Sequence, residues 1–61
     1  METIVIGQSE DCEAEYGVFM EGYPVTIIQM FDGEIAGWDG AQSVKAARTE
    51  WDNPEATYVY L

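Results

Sequence analysis

The sequence predicts a mixed α+β fold: a small antiparallel β-sheet of four to five strands, in the order β-β-β-β-α-β, with one helix packed on one face. Three observations predict it. Short β-branched and aromatic runs alternate with turn residues, an Asp32-Gly33 dipeptide sits between two apolar runs, and a single stretch, residues 41–51, repeats its apolar side chains at helical spacing. One helix laid across an antiparallel sheet is the economical way to bury one face of each. Sixty-one residues form one acidic domain, residues 1–61, with a thin core.

Thr3-Ile4-Val5-Ile6 is β-branched and reads as the first strand. Gln8 to Ala14 is polar and acidic and reads as a loop. Tyr16 to Glu21 alternates and ends at Gly22, which predicts a second strand with Tyr16, Val18 and Met20 on one side and Glu15, Phe19 and Glu21 on the other. Pro24 precedes the strong run Val25–Phe31, a position proline tolerates in a strand. Asp-Gly then predicts a two-residue hairpin turn into Glu34–Trp38, because both turn positions need φ > 0. Such a turn pairs Phe31 with Glu34, Met30 with Ile35 and Ile28 with Gly37.

Asp39 is the expected N-cap of the helix, whose stripe is Val44, Ala47 and Trp51. Asp52-Asn53-Pro54 stops it, and residues 56–61 read as the last strand. Both sheet faces are apolar: Ile28, Met30 and Ile35 on one, Val25, Ile27, Phe31, Ala36 and Trp38 on the other. One helix covers only one of them. The leftover aromatic face is either a second small core under loops or an exposed patch for a partner or a twin copy.

The charge is the unusual feature. Twelve acids face two bases, a formal net charge of -10. From Met1 to Val44 there is no base at all; Lys45 and Arg48 sit together on the expected helix. Such a field repels nucleic acid and anionic membranes and attracts a basic partner. It also destabilises the compact state by self-repulsion.

Most catalysis is excluded by composition, and no enzyme activity is expected. The chain has no histidine, and Ser9 and Ser43 have no base partner, so serine or cysteine triads are ruled out. One thiol, Cys12, makes neither a disulfide nor a zinc site. Its acidic neighbours disfavour the thiolate, so low reactivity is expected. Gly33, Gly37 and Gly40 are spaced as turn glycines rather than a phosphate loop. Paired-carboxylate chemistry on a sugar needs a desolvating cleft that so small a core does not build. Glu10-Asp11-x-Glu13-x-Glu15 does not match a twelve-residue calcium loop. No cofactor and no metal are expected. An acid at position 2 without a basic leader, and no apolar run near ~20 residues, point to a cytoplasmic protein.

The spacing Asp11-x-Glu13-x-Glu15 has a second meaning. If that stretch is extended, its carboxylates recur on one side at about 6.6 to 6.8 Å, twice the strand rise. They then imitate a row of phosphates, with Glu21, Asp32 and Glu34 extending it. Tyr16, Phe19, Trp38, Tyr58 and Tyr60 are the candidates for apolar contact. In size and charge, though in no motif, the chain is similar to the small acidic phage proteins of the anti-restriction, anti-CRISPR and glycosylase-inhibitor kinds. That resemblance implies an inhibitor of a basic, nucleic-acid-binding enzyme or complex, acting in the host cytoplasm, with no direct contact to nucleic acid or membrane. Two alternatives stand beside it: a homodimeric interaction module joined through the aromatic sheet face, and an ordinary domain whose acids serve solvation, as in halophiles.

Overall fold

The computed structural model describes residues Met1–Leu61. The chain is mixed α+β, with a four-stranded sheet and two helices: β1 (Glu2–Gln8), α1 (Ser9–Tyr16), β2 (Val25–Phe31), β3 (Glu34–Ala41), α2 (Val44–Glu50) and β4 (Thr57–Tyr60). The strand order is β3-β2-β1-β4. β1 and β3 each pair antiparallel with β2, and β4 pairs parallel with β1. The β3–α2–β4 connection is therefore a crossover above the two central strands, the length a parallel return requires.

Two expected elements are corrected. Gln8–Ala14, read as loop, is the last residue of β1 and most of a helix, and Tyr16–Glu21, read as a strand, is the end of that helix and an irregular segment leading to β2. The sheet accordingly has four strands, and the order is β-α-β-β-α-β. Helix α1 forms because Ser9, Cys12 and Tyr16 fall on one side and meet the sheet, while Glu10 and Asp11 sit in the first turn, where the helix dipole favours acids. Gly17 closes it at φ 78°, a left-handed conformation natural to glycine.

The helices cover opposite faces of the sheet. Beneath α2 lie Ile4, Ile6, Val25, Ile27 and Ala41, with Ala47 pressed onto them and Trp51, Ala56 and Tyr58 at the margin. Beneath α1 lie Val5 and Ile28 with Cys12, flanked by Tyr16, Val18, Met30 and Val59. Over β1 and β2 the leftover face is thus a second small core, roofed by a helix rather than by loops, while over β3 Ile35 and Trp38 stay exposed. Six aliphatic side chains, Ile4, Ile6, Ile27, Ile28, Val5 and Val25, are fully buried. Each contributes roughly 1.5–3 kcal/mol of burial.

The Asp32-Gly33 turn has φ values of 51° and 84°, as its sequence predicts. Phe31 pairs with Glu34 and Met30 with Ile35. A bulge at Ala36 then shifts the register, so Gln29 faces Gly37 and Ile28 faces Trp38, not Gly37 as expected. One extra residue reverses which face a strand's side chains occupy. Trp38 therefore stands on the α1 side of the sheet rather than with Val25 and Ile27.

The cap of α2 is also corrected. Asp39 lies within β3 and accepts a hydrogen bond from the Gly40 N–H. Ser43 is the N-cap, its hydroxyl accepting from the Ala46 N–H at 3.0 Å. No helix is long and apolar enough to cross a membrane.

Candidate functional site

Helix α1 is held at its start by small polar groups. The Ser9 N–H donates to the Pro24 carbonyl, and the Ser9 hydroxyl reaches the Tyr23 carbonyl and the buried Thr26 hydroxyl, 2.7 Å away. Thr26 in turn accepts from the Met20 N–H. This mesh ties the start of α1 and the Gly17–Pro24 segment to β2. With Cys12 and Tyr16 turned inward, Glu10, Asp11, Glu13 and Glu15 are left exposed on the outer side.

The extended row of carboxylates does not exist. On a helix, residues two apart point to different sides, and neighbours lie at i+3 and i+4. The acids form two short rows instead, Glu10 with Glu13 and Asp11 with Glu15, about 5–6 Å apart at Cβ. The last turn contains no base. Glu21 lies exposed in the following segment.

Several acids have structural duties elsewhere. The Glu2 carboxylate accepts from the Gln29 and Asn53 side-chain amides and so ties the loop after α2 to the sheet. Asp52 pairs with Arg48 at 2.9 Å. Asp32 receives the Met1 ammonium at 3.1 Å. By contrast, Glu10, Asp11, Glu13, Glu15 and Glu21 take part in no hydrogen bond or ion pair through their side chains. Both bases are on α2, across the sheet; Arg48 is additionally stacked on the Tyr58 ring, 3.9 Å from its centre.

The structure divides the other expected contact residues. Asp32 and Glu34 stand at the hairpin, beside Met1, whereas α1 starts after Gln8 at the far end of β1, roughly 20 Å away at about 3.3 Å per strand residue. They do not extend the α1 rows. Tyr16 is half-buried under α1. Tyr58 belongs to the α2 face, where its hydroxyl donates to the Trp51 carbonyl and accepts the Asn53 N–H. Tyr60 is exposed and stacks on Tyr58 at 6.4 Å. Trp38 remains exposed on the α1 side, and Phe19 is exposed in the segment after α1.

Tyr23 and Ile35 join them, and the sequence reading did not single them out. Tyr23 rests against the Gly40 backbone two residues beyond Trp38, and Ile35 lies on the same face beyond the bulge. The signal for Tyr23 was Gly40 itself: a glycine in a strand often marks the close approach of another group.

Burial of Cys12, with Asp11 adding to it, raises its thiol pKa above the ordinary 9.0. Its Sγ points at the Thr26 carbonyl, 3.7 Å away. The thiol packs as a small apolar group.

The α1 side thus presents an acidic helix whose carboxylates serve no neighbour, beside an exposed apolar strip. No protein-family model matches the chain, and neither a curated protein nor a solved structure matches it.

Proposed function

We propose that the chain is a small acidic binding protein that occupies the nucleic-acid-binding surface of a basic partner and so inhibits it, in the manner of phage anti-defence proteins acting in the host cytoplasm. It works without catalysis. The carboxylates of Glu10, Asp11, Glu13, Glu15 and Glu21 stand where phosphates would, and Phe19 and Trp38 add apolar contact. The observation that carries this reading is the acidic outer side of α1. Its carboxylates are grouped, free of internal partners and unrelieved by any base on that side.

Their placement costs stability. Glu10/Glu13 and Asp11/Glu15 repel at neighbouring helix positions, and Glu13 and Glu15 also oppose the negative end of the helix dipole. Acids that serve solvation alone have no reason to gather where they strain the fold; acids held ready for a cationic partner do. Helix spacing suits the role, because neighbouring acids about 5–6 Å apart at Cβ approach the separation of phosphates along a strand, which rise about 3.4 Å per step along the axis and lie further apart along the backbone.

The test is competition for a basic protein captured on the chain and eluted by salt. That protein should release a labelled DNA or RNA duplex when the chain is added. Replacing Glu10, Asp11, Glu13 and Glu15 with their amides should abolish the release. Undiminished duplex binding in the presence of the wild-type chain contradicts the proposal.

A further inference from the structure

Strand β3 has one neighbour, β2, so the backbone groups along its other side are unpaired. Natural edges are blunted by bulges, lysines, prolines or a covering loop. Here the bulge at Ala36 disturbs only the hairpin end, and the stretch from Gly37 to Ala41 pairs regularly with β2, carries neither lysine nor proline, and has as its one charge Asp39, which guards the edge against an acidic strand but not a basic one. Helix α1 packs on β1 and β2 and leaves β3 uncovered on its side. There Ile35, Trp38 and the ring of Tyr23 over Gly40 make an exposed apolar strip that runs along the open edge.

We propose that the β3 edge takes an extended, lysine- or arginine-bearing segment of the basic partner as a fifth strand. The charges select this occupant. β3 contributes Glu34 and Asp39 and no base, and the chain carries -10, so a second copy brings like charge to the same edge. A cationic strand is attracted to it. Main-chain hydrogen bonds to β3 supply the grip, as in other cases of strand addition. Alternate side chains of the added strand fall on the two sheet faces: on one, cationic or aliphatic groups meet Trp38 and Tyr23; on the other, bases meet Asp39. The basic nature of the partner is taken from the proposed function; the strand geometry is independent of it.

The probe is an acetylated ten-residue peptide of alternating lysine and valine, titrated into 15N-labelled protein. The amides from Gly37 to Ala41 are expected to shift and to exchange more slowly, and Trp38→Ala is expected to weaken binding roughly tenfold. A lysine-valine peptide of equal charge methylated at every backbone nitrogen, which has no donor to offer β3, is expected to leave β3 unprotected. Equal binding of both peptides with shifts confined to α1 overturns the inference, since charge alone then suffices. Protection of β3 without peptide, at the mass of a dimer, overturns it too, because a second copy then holds the edge. A β3 footprint without displacement of nucleic acid from any partner removes the proposed function and leaves strand addition standing; displacement with a footprint on α1 alone does the reverse.

Discussion

The ring of Tyr23 lies against the α-carbon of Gly40, in the space that any side chain at position 40 would fill. This contact seats Tyr23 against β3 at Gly40, on the same face as Trp38. Gly40→Ala is therefore expected to lower stability by about 1–3 kcal/mol, the range for forcing a methyl into a packed site. Urea denaturation measures the loss. Tyr23→Ala in the same chain should recover part of it, so that the two changes are non-additive in a double-mutant cycle.

The two possible caps of α2 separate cleanly. Ser43→Ala removes the hydroxyl that accepts the Ala46 N–H and should cost about 1 kcal/mol. Asp39→Ala, remote from the helix end, should leave the helical circular dichroism signal unchanged. A larger helical loss from Asp39→Ala than from Ser43→Ala would contradict the assigned start of α2.

What the sequence could show divides along physical lines. β1, the Asp32-Gly33 hairpin, the core of α2 and β4 were legible because β-branched runs, a turn needing two positive φ values and a Val44–Ala47–Trp51 stripe leave little choice. Helix α1 was not, because only Cys12 and Tyr16 mark its inner side, Gln8 gives it no side-chain cap, and its acids resemble a solvated loop. Gly17 as a left-handed terminator, immediately after the Cys12/Tyr16 i, i+4 pair, was the available signal. The face of Trp38 was hidden because a bulge at Ala36 leaves no mark in a hairpin whose turn is regular. The acids of the candidate site were all legible as a group; their arrangement was not, since it depends on α1 being helical.

Helix α1 should be stabilised by removing the two acids nearest its C-terminal end. Glu13→Gln and Glu15→Gln each relieve a like-charge neighbour and an unfavourable dipole contact, so each is expected to raise stability by about 0.3–0.5 kcal/mol at low salt. The gain should shrink as sodium chloride screens the charges. Thermal melts of the two variants at 20 and 500 mM salt measure both effects.

Cys12 sets an alkaline limb on stability. Its folded pKa is raised above 9.0 by burial and by Asp11. The unfolded thiol therefore ionises first, and stability present below about pH 9 declines as pH climbs from the unfolded toward the folded value. Urea midpoints between pH 8 and 10.5 should fall more steeply for the wild type than for Cys12→Ala, which itself costs about 1 kcal/mol at neutral pH for the lost packing. Below that range the native thiol should resist iodoacetamide.

The most direct measurement is fluorescence polarisation of a labelled duplex bound to the captured basic partner, titrated with the chain and with its Glu10→Gln, Asp11→Asn, Glu13→Gln, Glu15→Gln variant at 50 and 300 mM salt. On the proposed function the wild type strips the duplex at 50 mM and loses roughly tenfold in potency at 300 mM as screening sets in, while the variant, though folded, fails at both. A variant that competes as well as the wild type would contradict it.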